Sequence, residues 1–178
     1  TVSGILNAQK LPLPPRANDA ISGSTFKNQI DTLSVEDREN QIYQEILNGN
    51  IPTFLRDLVP ISFSKTIKDS PYVVTYFVLP DYLAVGSDTD YFLMPMTPIL
   101  AQKIAKAIDF TLPTKQMVDQ IWSNASVKLP PSPIPPSAQM TTIPVMWEHN
   151  TRLKGQRKET LKQASLGDLV AGHKKDVI

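Results

Sequence analysis

The clearest candidates for chemistry in this chain are its two histidines, because an imidazole can serve as a general base or a metal ligand near neutral pH. His173 belongs to the polar segment His173-Lys174-Lys175-Asp176, which follows a pair of glycines. On a strand, His173 and Lys175 would share one face, and Lys174 and Asp176 the other. If the chain is an enzyme, we predict His173, Asp176 and Lys175 as its catalytic residues.

The second histidine, His149, stands between Glu148 and Asn150. Successive residues point in different directions on a helix or a strand, so these three side chains cannot all face one ligand. His149, His173 and one carboxylate would make a two-histidine, one-carboxylate metal site if they met in space. The two histidines stand 24 positions apart (173 − 149), which is no recognised ligand spacing. The sequence therefore predicts no metal site, and it does not identify a cofactor.

Three other patterns for chemistry are weak. The segment 87–90, Ser-Asp-Thr-Asp, offers closely spaced oxygen ligands but lacks the distal Glu of a calcium-binding EF-hand loop, so a hairpin turn is favoured. No Gly-x-Ser-x-Gly motif and no phosphate-binding glycine loop occurs. The chain has no cysteine, which excludes disulfides, thiolate zinc sites and cysteine nucleophiles.

Aromatic residues offer a binding function instead of a catalytic one. We predict Tyr82, Tyr91 and Trp147 as binding residues, since aromatic rings on an open sheet face can stack on sugar rings. The alternative is that these rings belong to the core.

Length and charge bound the class of protein. The 178 residues fit one domain, and 18 basic against 17 acidic residues leave a net charge of +1. This balance gives no basic footprint for nucleic acid. The longest apolar runs fall far short of the roughly 20 residues that span a bilayer, so no membrane insertion is expected. The chain opens with Thr1 rather than Met, which suits a processed or trimmed chain from which any export signal has been removed.

The 16 prolines cluster and indicate how the chain is organised. We predict an extended proline-rich arm over residues 1–20, a core over 21–129, a proline-rich linker over 130–140 and a C-terminal segment over 141–178. That last segment ends in Val177-Ile178, which is typical of the start of a strand, so we expect it to continue into a missing or separate part.

The elements that must position these residues follow from periodicity. Helices are predicted from Ser34 to Gly49, from Pro98 with a buried stripe of Ile99, Leu100, Ile104 and Ile108, and from Pro113-Thr114 with Met117, Val118, Ile121 and Trp122 inward. Between them, alternation of period two predicts four strands, around 61–67, 72–79, 82–85 and 91–94. Residues 141–147 suit a short strand or a helix start, and 152–162 an exposed basic helix. The fold class is therefore α+β, an antiparallel β-meander packed with several α-helices.

Several segments together resemble a family of uncharacterised proteins, mostly exported by bacteria. They are residues 20–26 (AISGSTF), 48–56 (NGNIPTFLR), 80–88 (PDYLAVGSD), 112–119 (LPTKQMVD) and 171–177 (AGHKKDV). The resemblance implies a secreted or extracytoplasmic location. It also implies longer relatives, and hence a partner that is a second polypeptide or the missing C-terminal part of the same precursor.

Two functions remain open at this stage. The first is the N-terminal part of an exported hydrolase-like protein, with a cleft near the meander and His173 to Asp176 at its edge. The second is a non-catalytic extracellular binding or structural module, with carbohydrate or cell wall as its ligand. The first rests on the polar cluster beside glycine, and the second on the lack of a complete catalytic set.

Overall fold

The computed structural model describes residues 9–160 and 164–172, and within them it confirms the α+β class. Five α-helices and six strands alternate in groups along these residues. The helices are α1 (Gly23–Ile30), α2 (Val35–Leu47), α3 (Pro98–Ala107), α4 (Lys115–Asn124) and α5 (Ile143–Thr160). The strands are β1 (Val59–Ile67), β2 (Ser70–Val78), β3 (Ala84–Gly86), β4 (Tyr91–Leu93), β5 (Val127–Lys128) and β6 (Val170–Ala171). A short 3₁₀ helix covers Thr53–Leu55.

Four helices begin at a serine or threonine whose side-chain oxygen accepts a backbone N–H of the first turn. These residues are Ser22, Ser34, Thr97 and Thr114. Such a cap satisfies one of the amides that a helix start leaves unpaired, and it is worth about 1 kcal/mol. Pro98 occupies the first turn of α3, where its missing N–H costs nothing. The predicted starts at Ser34 and Pro98 are therefore confirmed.

The main core lies where α1, α2, α3 and α5 surround the short strands β3 and β4. Its largest fully buried side chains include Phe26, Ile30, Ile42, Ile46 and Phe92. Helix α1 approaches β4 closely, because a Cβ on Gly23 would lie only 2.5 Å from the carbonyl carbon of Tyr91. Glycine is required at position 23 because a side chain would not fit there. Its backbone dihedral angles do not require glycine.

The strands pair as two separate antiparallel hairpins and one short parallel pair. Strand β1 pairs with β2, β3 with β4, and β5 runs parallel to β6. The four middle strands were predicted as one meander, and the structure divides that meander after β2. The reason lies in residues 79–83, where Pro80 has no N–H to donate and its carbonyl accepts the N–H of Val170.

The segments on either side of residues 21–129 pack on the same core. Leu11 is buried, and its N–H donates to the carbonyl of Arg56. On α5, the buried side chain of Asn150 accepts the N–H of Leu93. Of the two alternatives for residues 141–147, the structure has the helix, which starts at Ile143. The boundaries proposed at 20, 130 and 140 stay predictions.

Helix α5 corrects the expectation of an exposed basic helix over 152–162. Arg157 on this helix is only 3 % exposed, because its guanidinium is paired with Asp81. The stripe predicted for α3 also needs one correction. Leu100 and Ile104 are buried, but Ile99 is 81 % exposed, since it lies on the side of the helix that faces solvent.

Candidate functional site

The described residues border a wide apolar cleft of about 670 Å³. That volume lies within the roughly 300–1,000 Å³ of typical small-molecule sites. The cleft runs between α3, α4, the inner half of β2 and the segment 79–83. Its apolar lining includes Leu58, Phe77, Leu79, Leu83, Met94, Met96, Ala101, Ile104, Met117, Val118, Ile121 and Trp122.

Helix α4 explains why the cleft stays open. It is amphipathic, and the side chains predicted to face inward, Met117, Val118, Ile121 and Trp122, all line the cleft. None of the residues of α4 is fully buried: Ile121 and Trp122 pack in part against the smaller core, and the same apolar face also borders the cleft. Apolar surface left open in this way is typical of a site that takes up an apolar ligand.

Few polar groups reach the cleft, and they are neutral or acidic. The hydroxyl of Tyr76 donates to the side-chain carbonyl of Gln120 on α4, at 2.9 Å. The acidic lining residues are Asp81 and Asp109, and no Lys, Arg or His is among the described lining residues. An anionic head group would therefore find no positive partner in the described lining.

Asp81, which lines the cleft, forms a buried ion pair with Arg157. Both side chains are 4 % exposed, and a second guanidinium nitrogen of Arg157 donates to the hydroxyl of Tyr91 at 3.1 Å. Burial raises the pKa of Asp81 to about 6, although the charge and hydrogen bond of Arg157 and the N–H of Tyr82 act to lower it. Desolvation therefore outweighs the attraction of the pair.

This ion pair joins the cleft to the core. Asp81 precedes β3, Tyr91 begins β4, and Arg157 lies in the last turn of α5. Side-chain contacts across such sequence distances hold the segment 79–83 against the helix. The contacts of this pair serve to hold the structure together. One carboxylate oxygen of Asp81 also accepts the N–H of Tyr82.

A second polar cluster fixes the loop between β3 and β4. Asp88 accepts the backbone N–H of Thr53 at 2.6 Å, and Asp90 accepts the backbone N–H of Ser24 at 3.1 Å. Burial acts to raise the pKa of Asp90, but hydrogen bonds from Ser24 and Ser22 and the charge of Lys154 outweigh it, so this pKa lies below its usual value. The hairpin-turn prediction for residues 87–90 is confirmed.

The predicted catalytic residues His173, Lys175 and Asp176 lie outside the described residues, as does Lys174. The residue before them, Gly172, is described and lines the cleft. His149 and Glu148 are exposed on α5, whereas Asn150 on the same helix is buried. No group of three or more metal-ligating side chains occurs within residues 9–160 and 164–172.

The predicted binding aromatics are placed in three different environments. Tyr82 lines the cleft and is half-buried. Tyr91 is 4 % exposed, with Phe54 at 5.3 Å between ring centroids and the ammonium of Lys154 at 4.3 Å from its ring. Trp147 packs edge-on against Phe92 at 5.1 Å. Of these three rings, only that of Tyr82 is among the residues that line the cleft.

Sequence reasoning missed the residues that give the site its character. The sequence assigns Asp81 no role and predicts Arg157 on an exposed helix, because nothing local marks a pair 76 positions apart. A usable signal did exist for α4, since its apolar face was recognised. What that face borders depends on tertiary structure.

Comparisons with known proteins add no relative. No family model, no curated protein and no solved structure matches this chain. No helix within the described ranges is long and apolar enough to cross a membrane.

Proposed function

We propose that this domain is a binding module that takes up an uncharged, elongated apolar molecule in the cleft between α3, α4 and β2. The observation that carries the proposal is the cleft itself, about 670 Å³ in volume and lined mainly by aliphatic and aromatic side chains. Three of the lining residues are methionines, Met94, Met96 and Met117. Methionine is flexible and polarisable, so it adapts to ligands of varied shape.

The charge of the lining selects the class of ligand. Described lining residues contribute two carboxylates, Asp81 and Asp109, and no cationic side chain. A fatty-acid carboxylate finds no counter-charge among the described lining residues, and leaving water unpaired costs several kcal/mol in an apolar site. A neutral alcohol or ester of the same chain length avoids this cost. Neutral chains are therefore preferred over anionic ones.

The ligand that we propose for the binding module is apolar, and not a carbohydrate as the sequence suggested. Stacking on a sugar needs an exposed ring face, and the ring of Tyr91 is enclosed by Phe54 and Lys154. The ring of Trp147 rests on Phe92. Tyr82 remains as an aromatic neighbour of the cleft.

Tryptophan fluorescence tests the binding proposal directly. Trp122 lines the cleft, whereas Trp147 packs on Phe92, so a Trp147→Phe variant reports on Trp122 alone. We expect decanol to change this emission saturably, and decanoate at about pH 8 to bind at least tenfold more weakly, a difference of about 1.4 kcal/mol. Equal affinity for the two, or no saturable change with either, would contradict the proposal.

A pair of variants on α3 separates the cleft from the rest of the surface. Ala101 lines the cleft, and Ile99 on the same helix is 81 % exposed outside it. Ala101→Phe fills part of the cavity and should weaken decanol binding at least about tenfold. Ile99→Phe adds a ring of the same kind and should leave the affinity unchanged.

One observation favours a second candidate function, the N-terminal part of an exported hydrolase-like protein. Gly172 lines the cleft and directly precedes His173 in the sequence. Under this alternative the bound apolar molecule is a substrate, and His173, Asp176 and Lys175 supply the chemistry. Hydrolysis of a decanoate ester by the native protein, lost in His173→Ala with decanol binding intact, would favour it. Hydrolysis retained in that variant would show that His173 is not a catalytic residue.

Location and partner belong to the same proposal. We take the chain to be secreted or extracytoplasmic, with a second polypeptide or the C-terminal part of a longer precursor as its partner. Both points rest on the resemblance to longer exported proteins. Native mass spectrometry of material from the source organism tests them, since a mass equal to that of 178 residues alone would contradict the partner.

A further inference from the structure

The hairpin of β1 and β2 has an edge on each side to which no described strand is added. Within the described residues these two strands pair only with each other. Pro60 pairs with Phe77, and Pro71 with Thr66. Proline has no N–H, so these pairs fit the non-hydrogen-bonded positions of the ladder. Bonded and non-bonded pairs alternate, and the residues of β2 that direct backbone groups outward are therefore Pro71, Val73, Thr75 and Phe77.

The outer half of β2 is exposed and apolar. Val73 is 74 % exposed, Tyr72 51 % and Val74 39 %. Tyr72 and Val74 share a face with Ile67 of β1, which is 48 % exposed, because side chains alternate along a strand. Towards Val78 the same face is packed against the second, smaller core. One end of this apolar face is therefore packed against the smaller core, and the other end is exposed.

The two edges differ in charge. Strand β2 has nine residues, Ser70 to Val78, without a single charged side chain. Strand β1 carries Lys65. Long edge strands of monomeric proteins are usually protected by a charged residue, by a bulge or by a covering segment. Among the described residues the only such device along β2 is Pro71, and it lies at the outer end of the strand.

We propose that β2 pairs antiparallel with β2 of a second copy of this chain, in a register centred on Val73. In that register Val73 of each copy pairs with Val73 of the other, and each Tyr72 lies opposite Val74 of the other copy. Aromatic and β-branched residues form favourable cross-strand pairs. The N–H of each Thr75 meets the carbonyl of Pro71 in the other copy, so the missing proline N–H removes only one bond on each side.

A second copy fits this edge for three reasons. The strand is uncharged throughout, so placing it against itself creates no repulsion. A two-fold axis through Val73 uses the exposed half of the strand and avoids the half-buried end near Val78. The result is a four-stranded sheet in the order β1-β2-β2-β1. Two strands alone are marginally stable, whereas three or more strands with an apolar face stand independently.

Sedimentation velocity of the full chain over a concentration series tests the proposal. We expect a reversible monomer–dimer equilibrium in the wild type. Val73→Pro removes an outward N–H and keeps the inward ladder of the hairpin, so it should weaken dimerisation at least about tenfold. Val73→Lys should do the same by placing two ammonium groups together, and circular dichroism of both variants confirms that they fold.

Ser64→Lys is the matched control. Ser64 is exposed and pairs with Val73 across the hairpin, so its lysine lies on the same face but on β1, away from the seam. This variant should dimerise like the wild type. A wild type that stays monomeric at the highest concentrations, or folded Val73 variants that dimerise with unchanged affinity, would overturn the proposal.

Discussion

The two antiparallel hairpins of this protein have opposite environments. Strands β3 and β4 are only three residues long, and all of their residues are buried. Strands β1 and β2 are nine residues long, and of their residues only Ile61 is buried. The short hairpin lies among α1, α2 and α5, whereas the long hairpin contacts α4 through β1. Strand length therefore does not decide which hairpin belongs to the core.

Because their burial differs, the two hairpins contribute to the protein in different ways. The short hairpin contributes Tyr91, and the segment before it contributes Asp81, to the contacts of the buried Arg157; of these three residues Asp81 lines the cleft. The long hairpin supplies one wall of the cleft with its inner half and leaves its outer half uncovered. We infer that the short hairpin provides stability and the long one provides contact surfaces.

Truncation of one aromatic residue in each hairpin should show the largest contrast. Phe92 in β4 is fully buried, and Tyr72 in β2 is 51 % exposed. We expect Phe92→Ala to lower the free energy of unfolding by about 3–5 kcal/mol, because it leaves a cavity in the core. Tyr72→Ala should change it by no more than about 1 kcal/mol. Urea unfolding at a concentration where the chain is monomeric measures both, and similar losses would break the comparison.

Removing the guanidinium of Arg157 should lower the free energy of unfolding nearly as much as Phe92→Ala. Arg157→Met leaves the buried carboxylate of Asp81 without its counter-charge, and we expect a loss of about 3 kcal/mol at about pH 8. The loss should be smaller at about pH 5, where a protonated Asp81 needs no counter-charge. Arg152→Met on the same helix removes a partly exposed pair with Glu148 and should cost less than about 1 kcal/mol.

The pH dependence of stability tests the burial of Asp81. Its folded pKa of about 6 exceeds the usual 3.8, so the folded state holds the proton more tightly. The contribution of Asp81 to the free energy of unfolding is therefore largest below about pH 4. It declines as the pH rises from about 4 to about 6, and it stays constant above about pH 6. The shift corresponds to about 3 kcal/mol. Relative to Asp81→Asn, the wild type should lose that amount between pH 4 and 7. A gain over this range would mean that Arg157 dominates the pair.

The smallest expected effect concerns the loop of the long hairpin. Lys68 and Asp69 both have positive φ, 48° and 61°, as a type I′ turn requires. Replacing them together by Asn-Gly should stabilise the hairpin by about 0.5–1 kcal/mol, because these residues adopt that conformation more readily. Thermal unfolding measures the gain. Thr66→Gly, one step into β1, should act in the opposite direction.

Local signals in the sequence were enough to predict most elements. Ser34 and Pro98 mark helix starts through caps and proline geometry, which depend on neighbouring residues only. The alternation in β1 and the β-branched run in β2 likewise predict strands. The α+β class follows from these elements and is confirmed.

Long-range contacts were not predictable in the same way. Ile99 matches the apolar stripe of α3 and is nevertheless 81 % exposed, because a stripe defines a face but not how much of it is covered. Arg157 lies among charged residues and is nevertheless buried, because Asp81 approaches it from 76 positions away. The cleft combines residues from 9 to 172, so no single segment reveals it.

The five methionines provide the most direct measurement of whether the cleft binds an uncharged apolar molecule. Met94, Met96 and Met117 line the cleft, Met140 is exposed elsewhere, and Met146 packs on the core from α5. With ¹³C-labelled methionine methyl groups, titration with decanol should shift the first three resonances saturably and leave the other two in place. Decanoate should produce the same shifts only at much higher concentration. Unchanged cleft methyl groups, or equal shifts at all five, would contradict the account.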